Sequence, residues 1–139
     1  MDTVPLQPLT HSIPSPPYTL FLHLTIFPSS STSSPIPQPI TLNVTTSEST
    51  MPLTAFVYAL PPLSSSSSTS PELKKPLCTT IFGGQDSASQ DSVEFATRLA
   101  KICASKLQRP VYVGASIGQF LSQIEVLGKV VDFVTSNVS

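Results

Sequence analysis

Few residues in this 139-residue chain have both the type and the spacing to do chemistry. Gly83-Gly84 stands between an apolar run and a helical pattern, a place where phosphate-binding loops occur. A Walker A loop needs GxxxxGK followed by Ser or Thr, and no such lysine follows here; GxGxxG is absent too. His11 sits among prolines and His23 in an alternating run. Neither has a carboxylate or cysteine at a spacing that builds a triad or a metal site. The serine tracts contain no GxSxG elbow. Asp86 and Asp91 could pair as general acid and base, but acidic residues at a helix start are better explained as caps. Cys78 and Cys103 lack ligand spacing and Cys or His neighbours, so they read as buried free thiols of a reducing compartment. These residues describe a protein that is not an enzyme and uses no cofactor or metal.

Composition narrows the class further. The formal net charge is −1, so no overall field attracts nucleic acid or an anionic membrane. Hydrophobic content of 40% supports a folded domain, whereas charged content of 11% falls well below the roughly 25% of an ordinary soluble one. Up to Pro71 only Asp2 and Glu48 are charged, and no Lys or Arg precedes Lys74. Two readings follow: the strands of the first half are covered on both faces, or Ser and Thr supply their wet surface. The start MDTVPLQPLT lacks the basic and apolar regions of a secretory signal. The most apolar run, Tyr18–Phe27, is too short to cross a bilayer. The expectation is a soluble cytoplasmic protein, with the nucleus also open to it, and no membrane partner.

The elements that must position any site follow from periodicity. Residues 1–17 contain five prolines and read as an extended, loosely held arm; residues 18–139 read as one domain. YTLFLHLTIF alternates with a period of two and is predicted as a strand ended by Pro28. ITLNVTT and LTAFVYAL (Leu53–Leu60) read as two more strands joined in a hairpin. A fourth strand covers Leu77–Phe82, and polar, low-complexity loops occupy about 28–39 and 61–76. Two overlapping capping boxes, Ser87 with Gln90 and Asp91 with Glu94, mark a helix start. Val93, Ala96, Leu99, Ala100, Ile102, Cys103 and Leu107 form its apolar stripe, and Glu94 is spaced to pair with Arg98. Pro110 ends that helix and VYVGAS forms a fifth strand, in which Gly114 marks a bulge or a close approach. A final helix from Phe120 to about Asn137 buries Phe120, Ile124, Leu127, Val131 and Val134, with Glu125 and Lys129 spaced as a second pair.

The order β-β-β-β-α-β-α implies an α+β domain, a mainly antiparallel sheet with two helices packed on one face. The alternation puts Leu20, Leu22, Leu24, Val57, Ile81, Val111 and Val113 under the helices. It gathers Phe21, Phe27, Phe56, Tyr58, Phe82 and Tyr112 on the opposite face. An uncharged aromatic face of that kind reads as a dimerisation surface, with Phe21, Phe27, Phe56, Tyr58 and Tyr112 as its candidate residues. The competing reading is a sandwich whose second face is covered by the chain's own loops and N-terminal arm. Arg98, Lys101 and Lys106 form a small basic stripe on the first helix, a candidate surface for steering a protein partner. Bases are few and no aromatic platform flanks them, which argues against nucleic acid.

From about Leu77 to Val134 the chain resembles the proteasome assembly chaperone 4 family, in a fungal form. The likeness rests on a strand ending in Gly83, a Ser/Asp-rich linker, the helix core ATRLAK (Ala96–Lys101), the basic turn, RPVYVGAS and a final helix at the expected distance. The first half matches in pattern, including Leu22-His23-Leu24 and an apolar third strand. The loops at 28–39 and 61–76 and the N-terminal arm are longer than the family pattern. The resemblance implies a non-catalytic chaperone that pairs with an assembly chaperone 3 homologue. That heterodimer would promote formation of the α-ring of the 20S core particle through contact with proteasome α-type subunit 5. The alternative is a small α+β scaffold or adaptor subunit of another complex.

Overall fold

The computed structural model describes residues 9–15, 18–26, 38–46, 53–62, 75–117 and 123–138. Eight elements follow one another: β1 (Leu9–Ser15), β2 (Tyr18–Ile26), β3 (Ile40–Thr45), β4 (Ala55–Leu60), β5 (Leu77–Gly83), α1 (Ser87–Leu107), β6 (Val111–Ser116) and α2 (Gln123–Asn137). The strands form a single sheet in the order β1-β2-β3-β6-β4-β5, with both helices on one side. The expected α+β class with two helices on one face is what the fold shows, with one strand added and one pairing changed.

The added strand is β1. Residues 9–15 fall inside the proline-rich stretch read as a loose arm, yet they pair antiparallel with β2 from Leu9↔Leu24 to Ser15↔Tyr18. Pro14 is tolerated because β1 is an edge strand, where a missing N–H need not interrupt a ladder. The changed pairing is the expected β3–β4 hairpin, which does not form. Instead β6 lies between them, parallel to β3 (Ile40↔Val111 to Thr45↔Ser116) and antiparallel to β4 (Val57↔Val113, Tyr58↔Tyr112). The sheet is therefore mixed. Strands β5 and β6 both run antiparallel to β4 on its two sides, so β5–α1–β6 is a crossover that carries α1 over β4.

Periodicity then decides what lies beneath the helices. Leu20, Leu22 and Leu24 of β2, Ile40, Leu42 and Val44 of β3, Ala55, Val57 and Ala59 of β4 and Val111, Val113 and Ala115 of β6 are fully buried. Each large one contributes about 1.5–3 kcal/mol by leaving water. Helix α1 answers with Phe95, Ala96, Leu99, Ala100, Cys103 and Ala104. The alanines on both sides let helix and sheet approach closely, and Phe95, absent from the expected stripe, is the largest fully buried side chain. In α2 the buried stripe is Val126, Val130, Val131 and Val134, with Leu127 half-buried, so the face is rotated slightly from the expected one. Phe120 and the side chain of Ile124 lie outside the described residues.

The ends of α1 are set by local polar contacts. Asp86, rather than Ser87 or Asp91, is the N-cap, accepting hydrogen bonds from the Ser89 amide (3.3 Å) and the Ser89 hydroxyl (2.5 Å). The Ser89 hydroxyl, with help from the local backbone N–H groups, holds the Asp86 carboxyl below the usual carboxylate range. Gln108 closes the helix in the left-handed conformation, its N–H donating to the Ala104 carbonyl. The Ile117 amide donates to the buried Ser92 hydroxyl at 3.2 Å, fastening the end of β6 to the start of α1.

A candidate partner-binding sheet face

The side of the sheet away from the helices carries the other half of each alternation. From β1 to β5 one row reads Thr10, His23, Asn43, Gly114, Phe56 and Phe82; the next reads Thr25, Thr41, Tyr112, Tyr58 and Thr79. Among the described residues no Asp, Glu, Lys or Arg stands on this face. The described charges lie on α1, on α2, at the ends of α1, or at Lys75 ahead of β5.

Three of the five expected pairing residues come together. The Tyr58 and Tyr112 rings stack with centroids 4.4 Å apart and planes 30° apart, and Phe56 stacks on Tyr112 at 5.8 Å and 13°. All three are half-buried. Burial, and after it the neighbouring Tyr112, pushes the Tyr58 phenol upward, so its ring adds no charge to the face. Phe21 does lie on this face, but in β2 beside Thr45 and Ser12, with β3 between it and the ring cluster. Phe27 lies outside the described residues.

The edge next to this cluster corrects one expectation. The alternation puts Ile81 under the helices, yet it is 54% exposed. Between Phe56↔Phe82 and Val57↔Thr80 the register shifts by one residue, leaving Ile81 as the extra residue of a β-bulge. Counting by twos across a bulge assigns the wrong face, and a bulge leaves no signature in residue type here. With Ile81, the apolar residues Leu60 and Leu77, which face each other across β4 and β5, join Phe82 as exposed neighbours of the cluster. Sequence reasoning named Phe82 and missed the other three.

Gly114 is a close approach and not a bulge: the ladder runs through it without a shift. A Cβ there would collide with the Asn43 side-chain oxygen and lie 3.0 Å from Leu53 Cδ1. Leu53 thus leans over the outer face, held by Thr54, whose amide and hydroxyl both donate to the Ala115 carbonyl at 3.1 Å. This is the only part of the self-covered reading that the described residues supply. The N-terminal strand extends the sheet and does not cover it.

The basic residues on α1 are less of a stripe than their spacing implied. Arg98 is held by Glu94 at 2.6 Å, with both side chains about half exposed. Lys101 and Lys106 are exposed, but five residues apart they stand about 140° from each other around the helix. Among the described residues Glu94–Arg98 is the one ion pair, and the Glu125–Lys129 spacing is not closed.

The residues weighed for chemistry are separated. His23 is exposed on the outer face, while His11 stacks on Phe133 of α2 at 4.8 Å on the helix side. Among the described residues no group of three His, Cys, Asp or Glu could hold a metal ion. Both cysteines are free. Burial pushes the Cys103 thiol up to about 12 and raises Cys78 as well, the latter against a hydrogen bond to Thr97 and the nearby Lys101 charge. Neither is an activated nucleophile. No described helix is long and apolar enough to cross a membrane.

Comparison with known proteins speaks to the family and the fold. No protein with a curated description matches the chain. Among solved structures, a chain from the "Crystal Structure of a Novel Chaperone Complex for Yeast 20S Proteasome Assembly" superposes with a TM-score of 0.66 at 21% identity. The alignment covers 96% of this chain and 98% of that one; at that identity the likeness speaks to the fold. The family model described as proteasome assembly chaperone 4 matches residues 19–117, from the start of β2 to just beyond β6. With that match over well more than half its length, the chain belongs to the proteasome assembly chaperone 4 family.

Proposed function

We propose that this protein is a non-catalytic assembly chaperone for the 20S core proteasome, working as a heterodimer with a chaperone 3 homologue to promote α-ring formation. Membership of the proteasome assembly chaperone 4 family supports the role. The observation that carries the pairing is the outer sheet face: no described charge, and a stacked Phe56–Tyr112–Tyr58 cluster that remains only half-buried. Such a surface gains from being covered by a lasting apolar partner. The charged helical side, with Lys101, Lys106 and the Glu94–Arg98 pair, suits a client that must be released, here the proteasome α-type subunit 5 and α-ring intermediates. Two free, unactivated thiols fit a site of action in the cytoplasm, with the nucleus included.

The test is recovery of the tagged protein at native expression, followed by mass spectrometry. A chaperone 3 homologue and unassembled α-type subunits are expected in the eluate. Tyr58→Asp should lose the chaperone while remaining folded by circular dichroism. An eluate without either class of protein would overturn the assignment; pairing that survives Tyr58→Asp would move the interface off this face.

A further inference from the structure

The outer face is not uniform, and the division runs between strands. Among the described residues, on β1, β2 and β3 it presents Thr10, Ser12, His23, Thr25, Thr41 and Asn43, with Phe21 and Pro14 as apolar breaks. On β6, β4 and β5 it presents the ring cluster, Phe82 and the Leu60–Leu77 pair. The exposed large apolar side chains obey the same division. All but Leu9 lie on β4 or β5 or just ahead of β4, led by Leu77 at 63%, Phe82 at 55% and Ile81 at 54%.

The two sheet edges differ independently of that face. A free edge strand is a template for unwanted pairing and is ordinarily blunted by charge, proline or cover. β1 has Pro14 and a run of polar residues, and α2 packs beside it through the His11–Phe133 stack. β5, LCTTIFG, has neither charge nor proline, and its bulge turns Ile81 outward while Phe82 stands exposed beside it.

Resting on the heterodimer reading above, we infer that the chaperone 3-type partner docks off-centre, over β6, β4 and β5 and around the β5 edge, leaving the β1–β3 end of the outer face uncovered. The edge is continuous with the ring cluster through the Phe56↔Phe82 and Leu60↔Leu77 cross-strand pairs, so one apolar partner surface can bury both at once. Covering the β1–β3 end would instead desolvate a field of hydroxyl and amide groups, each needing a partner of its own. The occupant must bring an uncharged, apolar surface to the β5 side, since a charge placed there would find no counter-charge among the described residues of the outer face.

Two pairs of lysine substitutions at exposed positions test this: Ile81→Lys and Phe82→Lys on β5, Thr10→Lys and His23→Lys on β1 and β2. The affinity of each full-length variant for the recombinant chaperone 3 homologue is measured by titration, with Tyr58→Asp alongside and circular dichroism to confirm folding. Ile81→Ser and Phe82→Ser stand in should either lysine variant misfold. The β5 variants should bind at least about tenfold more weakly, and the β1 and β2 variants within about threefold of the parent. Equal weakening by both pairs would leave the heterodimer standing and overturn the off-centre docking. Weakening by Tyr58→Asp with none from β5 would do the same. If no variant, Tyr58→Asp included, alters binding, the sheet-face pairing itself is wrong. Self-association of the protein alone that Ile81→Lys abolishes would make a second copy of this chain the occupant, and overturn the proposal.

Discussion

Beneath the helices, Leu24, Leu42, Val113 and Val57 form a row across four strands in which every side chain is fully buried. One residue along, the row His23, Asn43, Gly114 and Phe56 faces the other way and stays partly or wholly exposed, except at Gly114 beneath Leu53. Both rows lack charge. The same twofold alternation therefore builds two surfaces: one closed by α1 and α2, and one that the described residues leave largely open. A sheet with ions on its wet side is suited to solvent; here the described ions lie on or beside the helices or at Lys75 ahead of β5, and none stands on the second face. The difference teaches that two equally uncharged faces part company by cover alone: the helices close one, while among the described residues only Leu53 leans over the other.

The largest expected effect breaks the closed face. Phe95→Ala removes the biggest fully buried side chain, part of the core between α1 and the sheet. It should cost about 3–5 kcal/mol in urea unfolding, enough to leave little folded protein at ordinary temperature. A loss below about 1 kcal/mol would mean that the helix layer is looser than its burial indicates.

The outer face should respond more mildly. Gly114→Val puts a branched side chain where Asn43 and Leu53 already stand. One of them must move, at a cost of about 1–3 kcal/mol in the same unfolding measurement. Because Leu53 is already 36% exposed, it has room to swing away, which favours the lower end of that range. If Gly114→Val proved as damaging as Phe95→Ala, Leu53 would be part of the core and the outer face would be more self-covered than the exposure of Leu53 indicates.

What could be read in the sequence and what could not follow the same physical line. The faces of β2, β3, β4 and β6 were legible because each alternates without interruption, and Phe56, Tyr58 and Tyr112 meet for that reason. Pairing was not legible: nothing in the spacing of ITLNVTT and LTAFVYAL says that VYVGAS will enter between them, since strand order is settled by the α1 crossover and not by local pattern. β1 escaped notice because prolines and polar residues dominate it, and its strand form depends on β2 as a template. Ile81 was misplaced by the bulge. Phe95 was missed because a stripe drawn through Ala96 and Leu99 already satisfied the helical period, although one more residue of width was needed to fill the space under α1.

The smallest effect concerns the third surface, the exposed side of α1. Arg98 and Glu94 were expected to pair and do, at 2.6 Å, but both side chains are 53% exposed. Water and salt screen such a pair, and holding two long side chains costs entropy, so Arg98→Ala should change stability by no more than about 0.5 kcal/mol. Reversal is the sharper probe. Arg98→Glu combined with Lys101→Glu leaves the sheet side untouched, so the proposed pairing with a chaperone 3 homologue should persist. Association with the proposed α-type client should slow and lose its sensitivity to salt, as expected when steering charges are removed. Stopped-flow association at two ionic strengths would read both. Pairing lost with client binding intact would exchange the roles of the two faces, because it would place the lasting partner on the helices and the client on the aromatic sheet.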